Sequence, residues 1–434
     1  MKKIIAISTL AILASANVHA SKARLLALGE NLETAGSLYF SDNRNIFLNA
    51  AYVNEYKDGI YLEWGSEGQT DIGNTARPNN KADTDTAPQA EGGFLKSHNN
   101  YVYGLHIGGE SYITHEARQY LRLAYAEGTP KAHQDNQIDG FFGGETGDVK
   151  WGANVTYSNT KDDTNNMSQR SASLRLGAIT GKFEGFANIA LMNQAKMDNI
   201  TATGPTAKDD FEGKLGFELG GSYDLNAVKV FAYWRHAGWD QESNTAPVIL
   251  TPGPTGTGSV YNGKAEFNTN RIRVGAGKVT ALNDKANLFT KLEYVMTKRG
   301  VETDDGDADI DDYYVPLTVG LEYDALSWLT VRGSVTQYLL SQADNDYDNS
   351  LLAGQGTANP VLSPGVVANY RPGKRSFATT TNVNAGLTLK FGEFAIDGLV
   401  GTTAGNGDVV NSTSESGVLS LDNLATRVAM SYRF

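Results

Sequence analysis

The chain is patterned in twos. In its last segment Leu424, Thr426, Val428, Met430, Tyr432 and Phe434 share one face, and Ala425, Arg427, Ala429, Ser431 and Arg433 the other. That is the alternation of a strand with one apolar face. Val383, Ala385, Leu387, Leu389 and Phe391 stand likewise opposite Asn382, Asn384, Thr388 and Lys390. Tyr313, Val315, Leu317, Val319, Leu321 and Tyr323 form a third apolar face with aromatic residues at both ends, where the girdles of a membrane barrel belong. Counting back from Phe434, the pattern predicts sixteen strands, near 423–434, 392–401, 375–391, 326–340, 312–324, 286–298, 264–279, 226–238, 211–223, 182–191, 169–180, 148–159, 137–144, 100–108, 91–97 and 57–65. Fourteen and eighteen remain alternatives, because 91–108 is a short hairpin and 118–127 fits a strand, a loop helix or a lid.

The connectors alternate in length. Gly392-Glu393, Asp324-Ala325, Asn283-Asp284-Lys285, Asp224-Leu225-Asn226, Gly181-Lys182, Thr146-Gly147 and His98-Asn99 are tight, whereas 66–90, 109–136, 160–168, 192–210, 239–263, 299–311, 341–374 and 402–422 are mostly long and rich in Asn, Asp, Gly, Thr and Ser. Short periplasmic turns and long external loops in strict alternation describe an outer-membrane antiparallel β-barrel. An even strand number returns the C-terminus to the periplasmic side.

Composition supports one architecture throughout. Gly (47) and Tyr (21) are plentiful and Pro (11) is scarce, with no linker dividing the chain. Mean hydropathy is −0.35, and past the first residues no apolar run is long enough for a membrane helix. Met1-Lys2-Lys3, the apolar stretch Ile4–Ala14 and the small-residue site Val18-His19-Ala20 form a secretory signal over 1–20, so the mature chain is expected to start at Ser21 with 434 − 20 = 414 residues. Residues 21–56 lack good alternation and open on Lys22–Leu28, a short helix ended by Gly29. They are expected to tuck into the lower lumen or close the base, leaving 57–434 as the barrel. There is no Cys, hence neither a lipid anchor through Cys nor a disulfide framework.

With the signal, the hairpins and the final Ser431-Tyr432-Arg433-Phe434, the chain resembles the Gram-negative outer-membrane porins. The resemblance implies an aromatic terminus, Phe434, read by the barrel-assembly machinery, and a homotrimer, with Gly59–Trp64 and the last strand near its contact. Ala23–Gly29, Asn45-Ile46-Phe47-Leu48-Asn49-Ala50-Ala51 and Glu91-Gly92-Gly93-Phe94 are similar to major outer-membrane proteins of predatory delta-class bacteria.

A cylinder of sixteen strands is too wide for side chains to fill, so its inward residues are candidate pore-lining groups. By register the basic ones are Lys150, Arg175, Lys214, Lys229, Arg235, Arg271, Arg273, Lys291, Arg332, Lys390, Arg427 and Arg433. The acidic ones are fewer: Glu63, Glu184, Glu218, Glu293, Glu322 and Asp397. The wall is thus expected to be net basic although the chain carries −12. The acid excess falls to the loops, above all Glu302, Asp304, Asp305, Asp307, Asp309, Asp311 and Asp312. The Asp-x-Asp spacing there suits a calcium loop but lacks its terminal bidentate Glu. A solvated external loop, bridged by divalent ions to lipopolysaccharide, is the preferred expectation, and Arg170, His236 and Arg299 are candidates for lipid phosphates.

These features point to a water-filled diffusion channel for small hydrophilic solutes and ions, with charge selectivity set by wall against loops. The alternatives are a surface adhesin or structural barrel with a plugged lumen, and an outer-membrane hydrolase. Catalysis is not expected. The mature chain offers His98, His106, His115, His133 and His236 but neither a second His after His115-Glu116 nor a G-x-S-x-G elbow. No cofactor is implied. Acidic loops argue against nucleic acid as a partner, and the bilayer and lipopolysaccharide are the expected surroundings.

Overall fold

The computed structural model describes residues 21–30, 35–65, 89–109, 137–163, 166–198, 208–243, 263–303, 306–347, 373–376, 381–404 and 425–434. Its strands are β1 (Gly59–Gly65), β2 (Gln89–His98), β3 (Tyr101–Ile107), β4 (Ile138–Thr146), β5 (Val149–Asp162), β6 (Met167–Thr180), β7 (Phe183–Asp198), β8 (Lys208–Gly213) and β9 (Gly216–Asp224). They continue as β10 (Lys229–Ser243), β11 (Gly263–Asn283), β12 (Ala286–Thr303), β13 (Gly306–Leu326), β14 (Leu329–Tyr347), β15 (Gly373–Ser376), β16 (Thr381–Phe391), β17 (Phe394–Ala404) and β18 (Ala425–Arg433).

Each strand pairs antiparallel with its neighbours, and β18 pairs back onto β1, so the sheet has no free edge. β8 and β9 form one stave, both lying between β7 and β10. β15 and β16 form another against β14. Eighteen segments therefore make 18 − 2 = 16 staves of a closed antiparallel barrel, the number the alternation predicts. At the tight turns Gly181 (φ 55°) and Gly392 (φ 64°) supply the left-handed backbone a two-residue hairpin needs, a role taken elsewhere by Asn99 and Asn226.

Burial is inverted relative to a water-soluble protein. Leu62 is 49% exposed while the adjacent Glu63 is 6% exposed, and the contrast repeats around the cylinder: the exposed face is apolar and the charged face is inside. Only a hydrocarbon surround makes that arrangement favourable, and closure leaves no unpaired ladder group in it. The chain is an outer-membrane β-barrel.

The strands overrun their expected ends on the loop side. β7 reaches Asp198 rather than 191, β14 reaches Tyr347 rather than 340, and β13 starts at Gly306 rather than 312. A ladder needs only backbone partners, so it continues after the strand has left the membrane and lost its apolar contrast. Much of the acidic run is therefore strand rather than loop. Residues 1–20, 118–127 and most of the long loops lie outside the described residues.

The N-terminal segment occupies the lumen at the turn end. Helix α1 (Lys22–Ala27) is capped by Ser21, whose Oγ accepts from the Arg24 amide at 3.1 Å, and it ends where Gly29 turns left-handed (φ 83°). Short 3-10 turns follow at Asn43–Phe47 and Ala50–Asn54, capped by Asp42 and Asn49. Leu25, Leu28, Leu38, Tyr39, Phe40 and Leu48 pack on the wall residues Phe186, Phe231, Tyr233 and Phe289. Ile46, Phe47, Tyr52 and Val53 pack on Leu95, Val102 and Phe141. The segment lies in the lumen, one of the two placements the sequence left open, and is termed the plug for that position.

Candidate functional site

The wall is shaped to receive the plug. On β5 and β6, Gly152 and Gly177 face inward against the backbone of Asn49–Ala51, and a Cβ at Gly152 would strike the Ala50 carbonyl. A Cβ at Gly177 would meet the Asn49 side chain, with the Ala50 nitrogen 2.8 Å away. Only glycine permits so close an approach of two backbones.

Ion pairs ring this seat. Arg24 of the plug donates to Asp42, also of the plug, at 2.9 Å and to Glu322 of the wall at 3.0 Å. Lys22 meets Glu91 at 2.7 Å, and Arg44 meets Glu91 at 3.2 Å. Lys291 bridges Glu30 of the plug (2.9 Å) and Glu293 (3.2 Å). Tyr52 donates to Glu184 at 2.6 Å, and Lys150 pairs with Glu55. These side chains, apart from Lys150 and Glu55, are buried. A charge taken from water is tolerated only when paired and hydrogen-bonded, so the plug and wall charges specify one another.

Of the eighteen pore-lining candidates, all but Lys214 face inward. Arg175 pairs with Asp139 at 2.6 Å, Arg235 with Glu218 at 2.7 Å and Arg273 with Glu293 at 2.6 Å. Arg332 joins Glu322 and Asp397, Lys229 meets Glu184 at 3.1 Å, and Lys390 meets Asp324 at 2.9 Å. Arg427 stands 3.5 Å from Glu63, Arg271 donates to Thr297 at 3.0 Å, and Arg433 reaches the Glu55 carbonyl at 3.2 Å.

Lys214 is the exception. It points outward to Asp240 (2.8 Å) and Glu266 (2.6 Å). Between β8 and β9 the chain advances from Gly213 to Phe217, four steps, while β10 retreats from Trp239 to His236, three steps. This bulge shifts the alternation by one residue, and strict counting from Glu218 therefore puts Lys214 on the wrong face. Arg299, expected at the lipid surface, also turns inward and pairs with Asp312.

Glu91 and Asp139 also face inward and narrow the basic excess expected of the wall, and the plug adds Glu30, Asp42 and Glu55 together with Lys22, Arg24 and Arg44. Most of the inward cations sit opposite carboxylates, whereas Arg271 meets Thr297 and Arg433 a backbone carbonyl. The Asp-x-Asp run is not wrapped as a calcium loop. Asp307, Asp309 and Asp311 project from one face of extended β13, and the described residues hold no cluster of His, Cys, Asp or Glu suited to a metal ion. Burial, then Asp307, Asp311 and Asp346, push the carboxyl of Asp309, on the loop-side overhang, above its usual range.

Towards the loops the inward face changes character. Trp239 stacks on Phe267 (5.0 Å between ring centroids, 6° between planes) and touches Phe211 at 6.3 Å. Val301 lies opposite Phe267 in the ladder, Ile310 follows on β13, and Tyr314 meets Tyr338 edge-on at 6.1 Å. This band was invisible to a search for charge, although Trp239 and Phe267 alternate in phase with Arg235 and Arg271. Of the histidines, His106 packs edge-on against Phe47 at 4.8 Å and His236 faces outward near Asn270 at 2.9 Å. His115 and His133 lie outside the described residues.

No family model and no curated protein matches this sequence. Among solved structures, the chain is similar to the Ralstonia pickettii toluene transporter TbuX (13% identity, 96% of this chain and 99% of that one, TM-score 0.37). It is also similar to the Pseudomonas putida toluene transporter TodX (11%, 96% and 99%, 0.35) and to a Pseudomonas aeruginosa FadL homologue (12%, 96% and 99%, 0.37).

Proposed function

We propose that the protein is a gated outer-membrane channel for small apolar or amphipathic solutes. The observation that carries this reading is the division of the lumen: an aromatic band towards the loops, in which Arg299 and Asp312 neutralise one another, and a plug held by paired charges across the turn end. An aromatic lining offers little to a hydrated ion and much to a ring or a chain, through burial and ring contact. The plug sets passage apart from that of an open diffusion pore, since a solute leaving the band for the periplasm has to wait for the plug to move.

The test uses barrel reconstituted in liposomes. Uptake of a small aromatic hydrocarbon should exceed that of barrel-free liposomes, and Trp239→Glu, which places a charge in the band, should abolish the excess. Swelling in sugars at the rate of an open pore would overturn the reading in favour of a hydrophilic diffusion channel. No uptake of either solute, even with the plug released, would leave a structural barrel.

A further inference from the structure

The start of the plug is buried deep in the lumen. Ser21 is 2% exposed, and with Arg44, Glu63, Glu91, Asp397 and Ser431 it lines a cavity of about 30 Å³, room for one group the size of water. The Lys22 amide donates to Glu63 Oε2 at 3.2 Å. Glu63 is 6% exposed, yet its nearest described side-chain cations stand at 3.5 Å (Arg427) and 4.0 Å (Arg44). Other lumenal pairs are tighter, such as Arg175–Asp139 at 2.6 Å and Lys291–Glu30 at 2.9 Å. A buried carboxylate whose nearest described cation stands at 3.5 Å is less closely compensated than these, and here it adjoins the residue at which signal cleavage is expected to create an amine.

We propose that Glu63 is the docking site of the processed N-terminus: hydrolysis of the Ala20–Ser21 peptide bond frees an α-ammonium on Ser21 that enters the cavity and pairs with Glu63. The amine of Ser21 lies one residue from the amide already bound there, about 3.5 Å along the chain, and is protonated at neutral pH. Glu63 belongs to β1 and Arg427 to β18, the two strands that close the cylinder, so the pair ties the plug to the seam. Seating of the plug thereby follows export and processing, because the peptide nitrogen of the uncleaved chain carries no charge.

The experiment uses the exported protein extracted from membranes and involves no solute, so its outcome is separate from that of the permeation tests. N-terminal sequencing should begin at Ser21, and an α-amine-selective reagent at neutral pH should react with the folded barrel about tenfold or more slowly than with the unfolded chain. Two variants move or remove the pair. A glycine inserted between Ala20 and Ser21 displaces the ammonium by about one residue, or about 3.5 Å. Glu63→Gln removes the charge. Each should speed proteolysis of the plug about tenfold, the weight of one charged hydrogen bond, and the two together should do no more than either alone. A different N-terminal residue, an amine as reactive folded as unfolded, or additive effects would each overturn the proposal. If Glu63→Gln fails to assemble, the insertion, which keeps Glu63, decides.

Discussion

Replacing Arg24 by Met separates the plug from the wall at its most heavily bonded residue. The Arg24 guanidinium donates to Asp42 at 2.9 Å, to Glu322 at 3.0 Å and to the Ser41 carbonyl at 3.4 Å, and it is 3% exposed. Its loss is unequal for the two carboxylates. Glu322 keeps Arg332, whereas Asp42, at 0% exposure, keeps among the described residues only backbone donation from the Arg44 amide at 2.9 Å. Breaking a buried pair from one side costs about 3–5 kcal/mol. The undocked plug escapes that cost by hydrating Asp42, so the docking equilibrium should move by about a hundred- to several-thousand-fold. Limited proteolysis from the periplasmic side reads plug exposure, and resistance of the folded barrel to heat in detergent reads the wall. Cleavage should rise steeply while the barrel's heat resistance is unchanged. Arg24→Met with Asp42→Leu should restore most of the protection, because an apolar pair of similar volume replaces a buried ion pair at little cost. Unchanged proteolysis in Arg24→Met would refute the ionic seat. Loss of barrel and plug together would refute their independence.

Gly177→Ala places a methyl against Asn49 and the Ala50 backbone, so it should release the plug as Arg24→Met does, seen as the same proteolytic fragments from an intact barrel. Lys214→Gln, on an exposed outward ion pair worth about 0–1 kcal/mol, should leave plug protection and permeation at wild-type values. At the periplasmic rim, burial would raise the carboxyl of Asp58, but hydrogen bonds from Ser97 and Lys96 and the Lys96 charge hold it down at about 2. A depressed folded value stabilises above the unfolded value of about 3.9, and that contribution is lost as pH falls from about 4 to about 2. The heat resistance of wild-type barrel should therefore drop more across that window than that of Asp58→Asn.

Period-two contrast made the barrel legible, because it records directly which face meets hydrocarbon. The same signal misplaced Lys214, since a bulge changes phase without changing composition. It also stopped short on β13, since alternation of Asp with Gly, Ala and Ile carries no lipid signature above the membrane. The plug was legible as a helix with a Gly29 stop and as a region without alternation. Its partners were not, since Arg24–Glu322 and Lys291–Glu30 join residues roughly three hundred positions apart in the chain and no local pattern encodes them. Asp139 was within reach: it alternates in phase with the buried Phe141, and a carboxylate on that face implies a cation opposite, which Arg175 supplies.

If the plug moves as the proposed gating requires, the use of ions in its seat follows from what a movable part needs. A plug seated only through Leu25, Leu28, Phe40 and Phe47 would bind through a non-directional force and tolerate slippage, since apolar contacts can be repacked in neighbouring registers. Buried ion pairs contribute little net stability over apolar groups of equal volume, yet each mispairing leaves an uncompensated charge. They raise the free energy of every wrong pose without much lowering that of the right one. Gly152 and Gly177 add a steric condition to the same end, because the Asn49–Ala51 backbone is accepted only where the wall lacks side chains. Definition of pose is in this way separated from strength of docking. A channel that opens and closes needs that separation: its plug must return to one position, and it must not be held there so firmly that it cannot leave.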